Sequence, residues 1–159
     1  MRTAFLTFIL AAATFTAASA PTEFPGISGD RAYLFAAARY LNIQKDQGVF
    51  VRKAMQSLKA RETKRGDFHK TVEKAQAVTN EDWNENYLKS RKLLAPPAYA
   101  AIDGGIQRSH DLREAAYTEW LGKKSTNPVT LKKANKFFDD SVEVEDQAMS
   151  DLLDALKKK

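Results

Sequence analysis

The sequence predicts an all-α fold, a single-domain bundle of about five or six helices. Apolar residues recur at spacings of three and four, few β-branched runs interrupt them, and no stretch alternates with the two-residue period of a strand. The bundle is expected over residues 28–159. A cleaved signal peptide at residues 1–20 and an extended leader at residues 21–27 precede it.

Each element has its own reason. Ser28 or Asp30 caps a first helix that sets Tyr33, Leu34, Ala37, Tyr40 and Leu41 on one stripe. After a turn near Gly48, a second helix carries Phe50, Val51, Ala54, Met55 and Leu58 inward, with Arg52, Lys53, Lys59 and Arg61 outward. Gly66 interrupts it, and Asp67, as N-cap, starts a shorter stretch through Phe68, Val72 and Ala75. Thr79-Asn80-Glu81-Asp82 reads as a variant capping box for a helix with Trp83, Tyr87 and Leu88, which stops before Pro96-Pro97.

The next helix runs from Pro97 to about Leu121, with Ile102, Ile106, Ala116, Tyr117 and Trp120 on its inner face. Gly104-Gly105 is expected to kink or break it, since each glycine costs about 1 kcal/mol relative to alanine. Gly122 is placed as a C-cap, Asn127 as the next N-cap and Pro128 in the first turn beyond. The final helix carries a heptad-like seam of Leu131, Phe138, Val142, Met149, Leu152 and Leu156. Glu145 falls on that seam and is expected at its rim, its carboxylate reaching water; the alternative is a buried carboxylate paired with a base.

Arg2, an apolar run ending near Phe15, and small residues at Ala18 and Ala20 supply the three regions of a secretory signal, cut after Ala18 or Ala20. The run is too short to span a bilayer permanently, and no other segment is long enough, so no transmembrane segment is expected. The chain contains no cysteine, so an exported domain built from it is held by packing and not by disulfides. The formal net charge of +5 is spread through mixed acidic and basic residues, which suits a solvated helical surface better than a nucleic-acid footprint.

Catalytic constellations are scarce. With no Cys and no Gly-rich phosphate loop, thiol chemistry and nucleotide motifs have no basis, and no cofactor or metal is expected. Ser109-His110-Asp111 has the residue types of a nucleophilic relay, but neighbours on a helix point about 100° apart. His69 and Glu73 have an i, i+4 spacing that two metal ligands on one helix turn would need.

The sharpest short motif is Arg65-Gly66-Asp67. In an exported protein this tripeptide resembles the integrin-binding loop of disintegrins and adhesion modules, in which a turn presents a guanidinium and a carboxylate to opposite ends of a receptor cleft. Lys64-Arg65 is also a dibasic site for a secretory-pathway protease. From Lys53 to Arg65, five cations (Lys53, Lys59, Arg61, Lys64 and Arg65) face one acidic residue, Glu62, a balance that reads first as a solvated helix face and otherwise suits an acidic partner, an anionic membrane surface or nucleic acid. No aromatics are interleaved for base stacking, so no nucleic-acid partner is expected. Lys59, Arg61, Arg65, Gly66 and Asp67 are the candidate interaction residues.

The stretch Tyr117-Thr118-Glu119-Trp120-Leu121-Gly122-Lys123-Lys124-Ser125-Thr126-Asn127-Pro128-Val129-Thr130-Leu131 ends one helix on Trp and opens the next with Pro. From Trp120 to Leu131 it resembles the tryptophan half of the WY-type helical module of secreted oomycete effectors, without that family's Arg-x-Leu-Arg motif. The resemblance implies a small α-bundle that binds host proteins without enzymatic activity. The expected function is therefore that of a secreted, extracellular, non-enzymatic protein binding a protein partner, as an effector or virulence factor acting on a host. Two alternatives stand beside it. One is an extracellular carrier whose apolar cavity is lined by Phe50, Met55, Trp83, Tyr117, Trp120 and Phe138. The other is an integrin-binding protein dependent on Arg65-Gly66-Asp67.

Overall fold

A computed structural model describes residues 30–88, 97–122 and 128–158. The expected signal peptide, leader, Ser28 cap, Pro96 stop and Asn127 cap lie outside these residues. Among the described residues the fold is all-α, with four long helices and no strand. They are α1 (Asp30–Lys59), α2 (Arg65–Asp82), α3 (Ala100–Leu121) and α4 (Pro128–Lys157). A π-helical turn, Trp83–Tyr87, prolongs α2, and a 3-10 turn, Pro97–Tyr99, precedes α3.

Cross-helix contacts fix the direction of each helix. Arg39 in the first half of α1 pairs with Asp82 at the end of α2, and Phe68 meets Trp120 while Gln76 meets Glu114. Gly105 meets Ala148 while Trp120 meets Asn135, and Lys45 pairs with Asp146 while Arg52 pairs with Asp139, so α1–α2, α2–α3, α3–α4 and α1–α4 are all antiparallel neighbours. Tyr40–His110 and Gln44–Ser109 cross the diagonal between the parallel α1 and α3. This is an up-down-up-down bundle, the arrangement that short connections between antiparallel helices produce.

Two expected breaks are absent. α1 runs unbroken through Gly48, because the residue faces the bundle interior and makes room there for another side chain; a Cβ on it would stand 2.5 Å from Arg113 Nη1. Phe50, expected inside, is consequently 57% exposed, while Val51 is buried. α3 likewise continues through Gly104-Gly105. Gly105 lies where α3 approaches α4 closely, its would-be Cβ 3.2 Å from Ala148 Cβ. Thr79-Asn80-Glu81-Asp82 opens no new helix either: Thr79 is buried, its hydroxyl donating to the Ala75 carbonyl, and α2 passes through it.

Other expectations hold. The α1 stripe of Tyr33, Leu34, Ala37, Tyr40 and Leu41 is buried, as are Ile102, Ile106, Ala116, Tyr117 and Trp120 on α3. Gly122 is the C-cap of α3, its N–H donating to Thr118 O, and Pro128 is the first residue of α4. On α4 the buried stripe is Ala134, Phe138, Ser141, Glu145, Ala148 and Leu152, with Leu131, Val142, Met149 and Leu156 half-buried along its flanks. Glu145 is therefore central to the seam rather than at its rim.

The core has two apolar ends. One gathers Tyr33, Tyr40, Leu41, Tyr87, Ile102, Ile106 and Leu152; the other gathers Val51, Phe68, Val72, Tyr117, Trp120 and Phe138. Between them lies a polar layer.

Candidate functional site

The polar layer is built around Arg113, which is fully buried. Its Nε donates to Ser141 Oγ at 2.8 Å, Nη1 to Gln44 O at 3.3 Å and Nη2 to Glu145 Oε2 at 2.7 Å. Its guanidinium carbon stands 4.6 Å from the Phe138 ring centroid, on the boundary with the second apolar end. Gln44 Nε2 donates to Ser109 Oγ, which donates onward to Ser141 O. Burial pushes the Glu145 carboxyl up to about 7, with Arg113 pulling it back toward ionisation. A guanidinium held this way satisfies the rule that a buried charge must be paired and hydrogen-bonded. The three donor contacts all end on the protein itself.

One turn along the bundle, His110 stacks on Trp83 with centroids 3.9 Å apart and planes 5° from parallel, and its Nδ1 shares a 2.6 Å hydrogen bond with Tyr40 Oη. Burial lowers His110 to about 4, so the ring is neutral. Ser109 and His110 thus point to different partners, and Asp111 is exposed, so the triplet forms no relay. At the far end, Tyr87 and Tyr33 both donate to Asp103 Oδ1, at 2.7 and 3.4 Å, while Gln107 donates to Oδ2.

The residues proposed to line a carrier cavity are divided among different places. Phe50 is on the surface, Trp83 packs at the tyrosine end, and Met55, Tyr117, Trp120 and Phe138 pack together at the other end. An open groove of about 440 Å³ runs along α3, lined by Gly104, Gln107, Arg108, Asp111 and Leu112.

The candidate interaction residues meet at the α1–α2 corner. α1 ends in a two-bond C-cap, with Glu62 N–H donating to Ser57 O and Arg61 N–H to Leu58 O. This Schellman pattern places Arg61 at the position that glycine usually fills, and its φ is 60°, in the left-handed region. α2 starts at Arg65, two residues before the expected Asp67 cap, with Lys64 at the N-cap and no side-chain cap bond. Arg65-Gly66-Asp67 is therefore the first helical turn. Arg65 is half-buried with its Nε donating to His69 Nε2 at 3.3 Å, Gly66 is exposed, and Asp67 is exposed near the positive end of the helix dipole.

Lys59, Arg61 and Lys64 are exposed, and among the described residues they have no ion-pair partner. Elsewhere Lys45, Arg52, Lys133, Lys136 and Lys157 are each paired. Among the described residues no three His, Asp or Glu side chains converge on a metal site, and no helix is long and apolar enough to cross a membrane.

The alternative reading of Glu145, a buried carboxylate paired with a base, is the one the fold realises through Arg113. Sequence reasoning missed the rest of the polar layer, Gln44, Ser109, Arg113 and Ser141, although Gly48 in a helical register signalled it. At the end of α3, Trp120 is buried and donates Nε1–H to Asn135 Oδ1 at 3.2 Å, while residues 123–127 of the effector-like stretch lie outside the described residues. Compared with known protein families, curated proteins and solved structures, the chain shows no match.

Proposed function

We propose that this is an exported binding protein without catalytic activity, which engages an acidic surface of a protein partner through Lys59, Arg61 and Lys64 at the α1–α2 corner. The observation that carries the reading is Arg61. A non-glycine residue in the left-handed region costs about 1 kcal/mol, and glycine would relieve that cost. An arginine there, between two other cations that have no ion-pair partner among the described residues, fits a surface that favours charge over local stability. The effector-like stretch at Trp120 to Leu131 supports an action on a host, and the signal-like N-terminus supports export.

The test uses separate variants. Arg61→Gly should stabilise the fold by about 1 kcal/mol in urea denaturation while weakening capture of the partner. Combined Lys59→Glu, Arg61→Glu and Lys64→Glu should abolish capture from host extract, and the wild-type interaction should weaken steeply with added salt. Unchanged capture by the triple variant would overturn the reading. Loss on Asp67→Ala alone, with the triple variant still binding, would point instead to the Arg65-Gly66-Asp67 motif. Export is checked by expressing the full chain, whose shortened form cut after Ala18 or Ala20 should appear in the medium, beside a chain made without residues 1–20, which should stay inside the cell.

A further inference from the structure

The outward face of α1 carries a second feature, separate from the corner. At 100° per residue, Asp46, Val49, Phe50 and Lys53 fall on one side of the helix, and all four are exposed. Val49 is 46% and Phe50 57% exposed, and they are two of the three large apolar residues exposed in the described bundle. Their neighbours Lys45 and Arg52, on the flank toward α4, are occupied by Asp146 and Asp139. Asp46 and Lys53 have no ion-pair partner among the described residues.

We propose that this face binds a second copy of the chain, α1 against α1 and antiparallel, about a two-fold axis passing between Val49 and Phe50. The positions carry the argument. Asp46 and Lys53 lie equally far from that axis, on opposite sides. An antiparallel pairing therefore sets each Asp46 against the other copy's Lys53, twice, while Val49 meets Phe50 across the centre. An isologous interface requires such self-complementarity, in which a residue facing another is faced by it in return. A parallel pairing would set Asp46 against Asp46 and Lys53 against Lys53, which like-charge repulsion opposes. With two apolar residues per copy, the contact is below the area of a permanent dimer, so a dissociation constant on the order of 100 μM is expected.

Sedimentation equilibrium from about 10 μM to about 1 mM should show this monomer–dimer equilibrium. Phe50→Glu should leave a monomer throughout. Asp46→Lys alone, or Lys53→Asp alone, replaces two attractions by two repulsions and should weaken the dimer about tenfold or more. The combined exchange, Asp46→Lys with Lys53→Asp, should restore it. Mixing the two single variants should give a heterodimer tighter than either homodimer, because attraction is then recovered at both contacts. All four positions are exposed, so the variants should keep the wild-type circular dichroism. A monomer at every concentration, indifference to the single charge changes, or a mixture that forms no heterodimer would each overturn the proposal.

Discussion

A Cβ built on Gly48 would meet Arg113 Nη1 at 2.5 Å, and one on Gly104 would meet nothing within 4 Å. Both glycines sit inside helices, where alanine is favoured by about 1 kcal/mol, so the difference between them isolates the interior contact. Gly104→Ala should stabilise the fold by about 1 kcal/mol. Gly48→Ala should destabilise it by about 1–2 kcal/mol, because Arg113 is tied to Ser141, Gln44 and Glu145 and cannot swing aside cheaply. Urea denaturation of the two variants checks this, and equal effects would mean that Arg113 has more freedom than its three contacts suggest. The same geometry explains why Gly48 looked like a turn: in one dimension a glycine that breaks a helix and a glycine that admits a neighbour are the same letter.

At the scale of the element, α4 shows how a seam read from large apolar residues drifts off the true centre. The sequence marks Leu131, Phe138, Val142, Met149, Leu152 and Leu156, yet only Phe138 and Leu152 among them are fully buried. The places between are filled by Ala134, Ser141, Glu145 and Ala148. Small residues let α3 come close, as Gly105 against Ala148 shows, and the polar pair meets Arg113. Phe138→Ala should therefore cost about 3–5 kcal/mol, since the ring packs against Trp120 and lies beneath the Arg113 guanidinium. Val142→Ala, on the half-buried flank, should cost about 1 kcal/mol or less. Similar losses at the two positions, measured in urea, would show that the seam follows the hydrophobic pattern after all. Apolar periodicity thus marked which segments are helical and their approximate inward side, though it divided the described residues into more helices than they form. It did not locate the axis of contact, which small and polar residues set. At the candidate site the corner was legible from charge alone, whereas the left-handed Arg61 and the helical start at Arg65 depend on a cap geometry that no residue type there announces.

For the whole molecule, two buried groups, Glu145 within the polar layer and His110 one turn along the bundle, give the pH dependence of stability. Burial lowers His110 from 6.5 to about 4, so its neutral form favours the fold. That contribution is present above pH 6.5 and is lost as pH falls through 4. Burial raises Glu145 from 4.5 to about 7, so its protonated form favours the fold. Its contribution is present below pH 4.5 and is lost as pH rises through 7. Asp82, also raised by burial, has the same sign as Glu145, beginning above 3.8. Between pH 4.5 and 6.5 the His110 and Glu145 slopes oppose each other, and the native bundle should show little net change there. Glu145→Gln removes one side of that balance. The variant should lose the decline toward pH 7, so that its stability relative to wild type improves by on the order of 3 kcal/mol between pH 5 and pH 8, whatever its absolute value. Urea denaturation of both proteins across this range measures the difference directly. A constant offset between the two curves would mean that Glu145 stays ionised throughout, with Arg113 outweighing burial, and the polar layer would then be a permanent ion pair rather than a site that takes up a proton on folding.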